Sequence, residues 1–292
     1  MIDFDAATVL LQWATGGSFF LWITTRRREV GLGYGWLMRG VYGVMALGAV
    51  LAGFRWTSIL GRDIASVAVT VLVVLGLLVS ILQRRAGVSG YLEEHDRRSE
   101  RVAAMTGIER DTRTSPEPDL AGRGFLGREF DPRWDLVASI VGFVGLVFAG
   151  ANAGGNDLLA VARTLTGALF LGAVSDAMLL GHWYLVQPGL RREPLLELVK
   201  WLGAIWPVEV GLLLVPTGMI SVINGTIDDD YGGLLGWFWI ACAVTTIALV
   251  GVTWLALKER YYSAVMAATG LLYLAILTAF GTDLVARAVL SS

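Results

Sequence analysis

Two apolar stretches decide the fold: LLAVARTLTGALFLGAVSDAMLLGHWYLV at residues 158–186 and LLELVKWLGAIWPVEVGLLLVPTGMISV at residues 195–222, joined by a short segment holding Arg191 and Arg192. Each exceeds the roughly 20 apolar residues that a helix needs to cross a bilayer. Each also carries ionisable residues inside its apolar run: Asp176 and His182 in the first, and Glu209, between Pro207 and Pro216, in the second. The interface of these two helices is therefore the candidate chemical centre.

Composition points the same way. The 292 residues are 55% hydrophobic and 16% charged, with a mean hydropathy of +0.63, whereas soluble domains carry about a quarter charged residues. The lipid bilayer is the expected solvent. The net charge of -2 reflects charges gathered into loops, mainly residues 84–133, and gives no reason to expect nucleic acid. Cys242, the single cysteine, has no disulfide partner in the chain and reads as a helix-packing residue. Only Lys200 and Lys258 accompany the arginines, a bias associated with GC-rich coding and hence with a bacterial inner membrane. The segment Met1–Asp5 lacks a basic leader region, so no signal peptide is expected.

The hydropathy pattern predicts an all-α bundle of eight transmembrane helices: Phe4–Thr24, Gly35–Phe54, Ile64–Leu82, Trp134–Ala151, Leu158–Val186, Leu195–Ile223, Gly233–Leu257 and Tyr261–Ala286. Residues 1–83 would hold three spans, 84–133 a charged cytoplasmic loop, and 134–292 the other five. Alternating the spans puts 19 of the 23 basic residues on one side, leaving Arg55, Arg62, Arg163 and Arg287 on the other. Positive loops stay in the cytoplasm, so both termini are expected outside. Trp36, Trp56, Trp134, Trp183, Trp201, Trp254, Tyr231, Tyr261 and Tyr262 fall near the ends of spans, where amphipathic rings suit the headgroup level. The 36 glycines imply close helix packing, and none lies in the strand-turn-helix context of a nucleotide fingerprint. Arg27-Arg28-Glu29 and Arg191-Arg192-Glu193 raise the idea of two parallel four-helix repeats, although basic residues are expected at both places anyway.

In the loop, Gly90–Met105 reads as a charged surface helix with Ser89 as its N-cap. Asp111–Gly127, with its prolines and glycines, reads as a linker. His95 sits among charged neighbours and is expected to be exposed. The whole loop, 84–133, is a candidate docking surface for a protein partner.

At the centre, Glu209 lies about nine residues beyond Lys200, or about 14 Å along a helix. Asp176 reaches a similar depth counted back from Val186, so the two carboxylates are expected to meet across antiparallel helices. Pro207 and Pro216 each remove a backbone donor and free carbonyls that neighbours, water or a cation must satisfy. The bland alternative is a simple kink, with Glu209 neutral or paired with an arginine. His182 lies near the cytoplasmic boundary and shares a helical face with Ser175. With Trp183 and Tyr184 it makes a candidate contact for a quinone or lipid headgroup.

Several chemistries are demoted. His182 is the sole histidine in a predicted span, which excludes a bis-His haem held by this chain and leaves open only a Met–His pairing, for example with Met178. No zinc spacing and no nucleophile elbow is present. No cofactor is implied, and the chain is not expected to be an enzyme on its own. The leading expectation is a transporter or a proton- or ion-translocating protein with an acidic site between the fifth and sixth spans. The alternatives are a membrane subunit of a quinone-linked redox complex and a non-catalytic assembly protein.

Overall fold

Asp5 starts the first helix by accepting hydrogen bonds from the backbone N–H groups of Ala7 and Thr8, at 3.4 and 3.1 Å. This carboxylate cap satisfies donors that a helix start leaves open. From it, the computed structural model runs through α1 (Ala6–Thr25), α2 (Leu32–Arg55) and α3 (Leu60–Leu82) to a short 3-10 turn, Arg84–Ala86. After the loop come α4 (Arg133–Asn152), α5 (Asp157–Val186), α6 (Glu193–Leu214), the short α7 (Met219–Ile223), α8 (Leu234–Lys258) and α9 (Tyr262–Leu290). The structure describes residues 5–90, 128–187, 190–215, 218–259 and 261–291. The expected surface helix beyond Gly90, the linker 111–127, His95, Pro188, Gly189 and Pro216 lie outside these residues.

Among the described residues the chain is all helix and turn, and seven of the helices are long and apolar enough to cross a membrane. Helix α6 is not one of the seven, because its 22 residues include Glu193, Glu197, Lys200 and Glu209. It nevertheless packs alongside α5 and α8. The expected single span over 195–223 is corrected in one respect: helix α6 stops at Leu214, and Met219–Ile223 forms a separate turn of helix. Val215 is extended, with φ -74° and ψ 169°, as a residue followed by proline prefers, and Pro216 comes next in the sequence.

Helix α1 packs against α2, α4 and α5, and α5 in turn packs against α4, α6 and α9. The pair α1–α5 therefore joins the two halves of the bundle. Gly16 and Gly172 make that contact: a Cβ on Gly16 would overlap the carbonyl oxygen of Ala168, and one on Gly172 would overlap the Gly16 backbone. Only glycine permits so close an approach of two helices. Polarity is arranged inside out. Apolar side chains such as Leu75, Leu78, Val252 and Leu255 are exposed on the outer faces, while Arg62, Arg163 and Arg287 are among the largest fully buried side chains.

Several of the charges inside are paired. Arg62 bonds Asp5 and Asp63, and Arg39 grips Asp135 through Nε and Nη2 at 2.8 and 2.7 Å. Removing one partner from such a pair costs about 3–5 kcal/mol, because a bare charge is left buried. Outside the spans, Asp229 organises the entry to α8. Its Oδ1 accepts from the N–H groups of Gly233 and Tyr231 (2.7 and 3.0 Å), and its Oδ2 accepts from Leu235 (2.8 Å).

These donors, Gly233 first, hold the Asp229 carboxyl below the usual carboxylate range. A lowered folded-state pKa contributes stability above the unfolded value and loses it as pH falls through the folded one. The Tm difference between wild type and Asp229→Asn should therefore be full at pH 7 and close below about pH 4. A difference that stays constant across that range would mean the backbone donors do not hold the charge.

Candidate buried polar centre

The break after α6 fixes the position of Arg163. Its Nε donates to the carbonyl of Leu212 at 2.9 Å and its Nη2 to that of Val215 at 2.8 Å. Leu212 lies four residues before Pro216, so in a continued helix its carbonyl would await an N–H that proline lacks. The guanidinium of α5 supplies that donor, and a cation at a helix C-terminus is also favoured by the helix dipole. The carbonyls at the Pro216 end, expected to attract a proton or cation, are thus occupied by an arginine.

Glu209 lies in the same region. It is 0% exposed, and neither of its carboxyl oxygens has a hydrogen-bond partner. The ionisable groups acting on it are Asp283 and Arg287 of α9 and Arg163 of α5. Asp283 is the one carboxyl group among them and faces Glu209 with a like charge. Arg287 holds Asp283 on one helical face, with Nε and Nη2 at 2.8 and 3.0 Å from its oxygens. Gln12 of α1 closes the centre: its amide nitrogen donates to the Thr164 carbonyl at 2.6 Å. At Gly167, a Cβ would lie 2.8 Å from both Asp283 Oδ1 and Arg287 Nη2 and 3.0 Å from the Gln12 nitrogen. The absent side chain is what lets α1, α5 and α9 bring polar groups together here.

Four buried polar atoms of these residues have no partner: Gln12 Oε1, Arg163 Nη1 and both carboxyl oxygens of Glu209. Each such atom costs about 1–3 kcal/mol if left dry. Water molecules, or for the carboxyl group a bound proton, would satisfy them.

Asp176 does not belong to this centre. Its Oδ2 accepts from Tyr42, its Oδ1 lies 3.3 Å from the hydroxyl of Tyr34, and both tyrosines come from α2. The expected meeting with Glu209 fails because depth was counted from Lys200. Helix α6 starts at Glu193, so Glu209 lies 16 residues in, about 24 Å along the axis. That places it near the opposite end, level with Arg163 rather than Asp176. Pro207 stands inside α6 without ending it.

The residues grouped around His182 also separate. Ser175 is buried and accepts from Trp13 Nε1 at 2.8 Å, because α1 covers that part of α5. His182, two turns further along the same face, is exposed, and its Nδ1 lies 2.9 Å from the hydroxyl of Tyr273. Trp183 donates to Gln187 at 3.1 Å and packs near Tyr34. Tyr184 is buried and donates to the carbonyl of Arg191, closing the turn towards α6. It is a structural tie rather than a headgroup contact. Arg163, Asp283, Arg287 and Gln12 were not among the expected site residues. Asp283 and Arg287, four apart inside an apolar span, had a readable signal; Gln12 and Arg163 did not.

Arg163→Met keeps the length of the side chain but withdraws its donors from two buried carbonyls. It should destabilise the protein by about 1–3 kcal/mol for each carbonyl left dry, read as a lowered Tm in detergent, whereas an unchanged Tm would show that water reaches the end of α6. Comparison with models of protein families, with curated proteins and with solved structures finds no match to this chain.

Proposed function

We propose that the protein is an eight-span bundle of the cell membrane that translocates protons, taking up and releasing one at the facing carboxyl groups of Glu209 and Asp283. The observation that carries this reading is the Glu209 carboxyl group, fully buried with both oxygens unpartnered. A buried carboxylate without a hydrogen-bond donor is costly, and a proton on it offsets that cost. Arg163 and Arg287 already bring two positive charges; they disfavour an alkali cation, whereas a proton converts two opposed acceptors into a hydrogen bond. Gln12 and the remaining Arg163 donor suit water that would deliver it.

Counting α6 as the eighth crossing rests on its run beside α5. Glu197 at one end is neutralised by Arg26 and Arg27, and the carbonyls at the other end are held by Arg163. The basic residues support an orientation with both chain ends outside. Of the four assigned to the outer side, Arg62, Arg163 and Arg287 are buried and engaged within the protein. Only Arg55 is then an outer-side positive charge exposed at the surface, in keeping with retention of positive loops inside.

Glu209→Gln is nearly isosteric and cannot titrate. In vesicles carrying a pH-sensitive dye, this variant should fold with a near wild-type Tm yet carry protons about a hundredfold more slowly; a fully active variant would eliminate the role given to Glu209. Orientation is tested with cysteines at two exposed positions, Arg85 and Thr226, after Cys242→Ala. A membrane-impermeant maleimide should label Arg85→Cys only from the cytoplasm and Thr226→Cys only from outside, and labelling of both from one face would refute the crossing count.

A further inference from the structure

The buried acids of the spans fall into two groups. Asp5 and Asp63 are held by Arg62, Asp135 by Arg39, and Asp283 by Arg287. Glu209 has no bonded partner. Asp176 is also 0% exposed, and its hydrogen-bond donors are two phenols, Tyr34 and Tyr42. Tyrosine hydroxyls satisfy the oxygens but supply no counter-charge. Among the described residues, the titratable groups facing Asp176 are these two tyrosines of α2 and Asp135 of α4, the latter already matched by Arg39. On the α1 side the neighbouring polar contact is Trp13, bonded to Ser175. An acid buried in this way requires a proton as its counter-ion.

The two unpaired acids stand apart. Gly167, against which Asp283 and Arg287 lie, precedes Asp176 by nine residues on α5, about 14 Å along the helix axis. A single proton transfer spans only about 3 Å between heavy atoms. Between the two levels the backbones of α1 and α5 touch at Gly16, Ala168 and Gly172.

We propose that Asp176, Tyr34 and Tyr42 form a second proton site, separated from the Glu209–Asp283 centre by the α1–α5 backbone contact. Its role in transport rests on the proton-translocating reading above; its existence as a site does not. The protein is then no open proton wire. Loading adds one proton to the Asp176 carboxylate, and both tyrosines are neutral before and after. Passage between the two sites requires α1 and α5 to move apart.

The test combines infrared pH titration of the carboxylic C=O bands with proton flux, on the full chain in lipid. Asp176→Asn keeps an acceptor for both tyrosines and should fold. It should delete one titrating band and leave the other in place, whereas Glu209→Gln should do the reverse. Tyr42→Phe should move the midpoint of the Asp176 band alone. Flux through Asp176→Asn should fall about a hundredfold. The proposal is overturned if Asp176→Asn deletes no band, if Glu209→Gln shifts the Asp176 band, or if Tyr42→Phe moves neither. If the two bands behave as expected but wild-type vesicles carry no protons, the second site stands and the translocation reading falls.

Discussion

The grip of Arg163 on the two carbonyls at the end of α6 is the interaction on which the centre depends. A helix interrupted at Val215 exposes acceptors that lipid cannot satisfy. By meeting them from α5, the guanidinium docks the end of α6 against the middle of the bundle and sets the depth at which Glu209 is held. It also delivers a positive charge beside an acid that has no donor of its own. One side chain thus meets a backbone need and creates an electrostatic environment.

A second constraint is the close approach of α1 and α5. Glycines at 16 and 172 let the backbones touch, and this contact draws together helices whose polar residues would otherwise face separate neighbours. Gln12 reaches Thr164 across the interface, Trp13 reaches Ser175, and Tyr42 packs over Gly17 to reach Asp176. Most buried charges in the bundle answer to an arginine; Asp176 and Glu209 do not. That difference in partners, rather than burial alone, marks these two residues, because buried acids matched by arginine are ordinary structural pairs.

Much of the fold was legible in the sequence. Apolar length predicted eight spans, and seven helices are seen to be long and apolar enough to cross a membrane. The burial of Glu209 and Asp176 also followed from their positions inside apolar runs. The shared face of Ser175 and His182 did not make a shared environment, since α1 covers the first and leaves the second exposed. The proposed meeting of Asp176 with Glu209 failed because helix depth depends on where α6 begins, and its charged first turns from Glu193 to Lys200 resemble a loop to any count of apolar residues.

The sequence by itself determined which segments become helices and which charges must be buried, since both follow from local chemistry: apolar length, proline positions, and the cost of placing an ionisable group in lipid. Tertiary structure decided the partners. Arg163 is bound by carbonyls that become available only where α6 breaks, and Asp176 is satisfied by tyrosines that arrive from α2. Pairing of this kind depends on the rotation and depth of each helix against its neighbours, which are set by close contacts such as Gly16 against Gly172 and have no signature in the local order of residues.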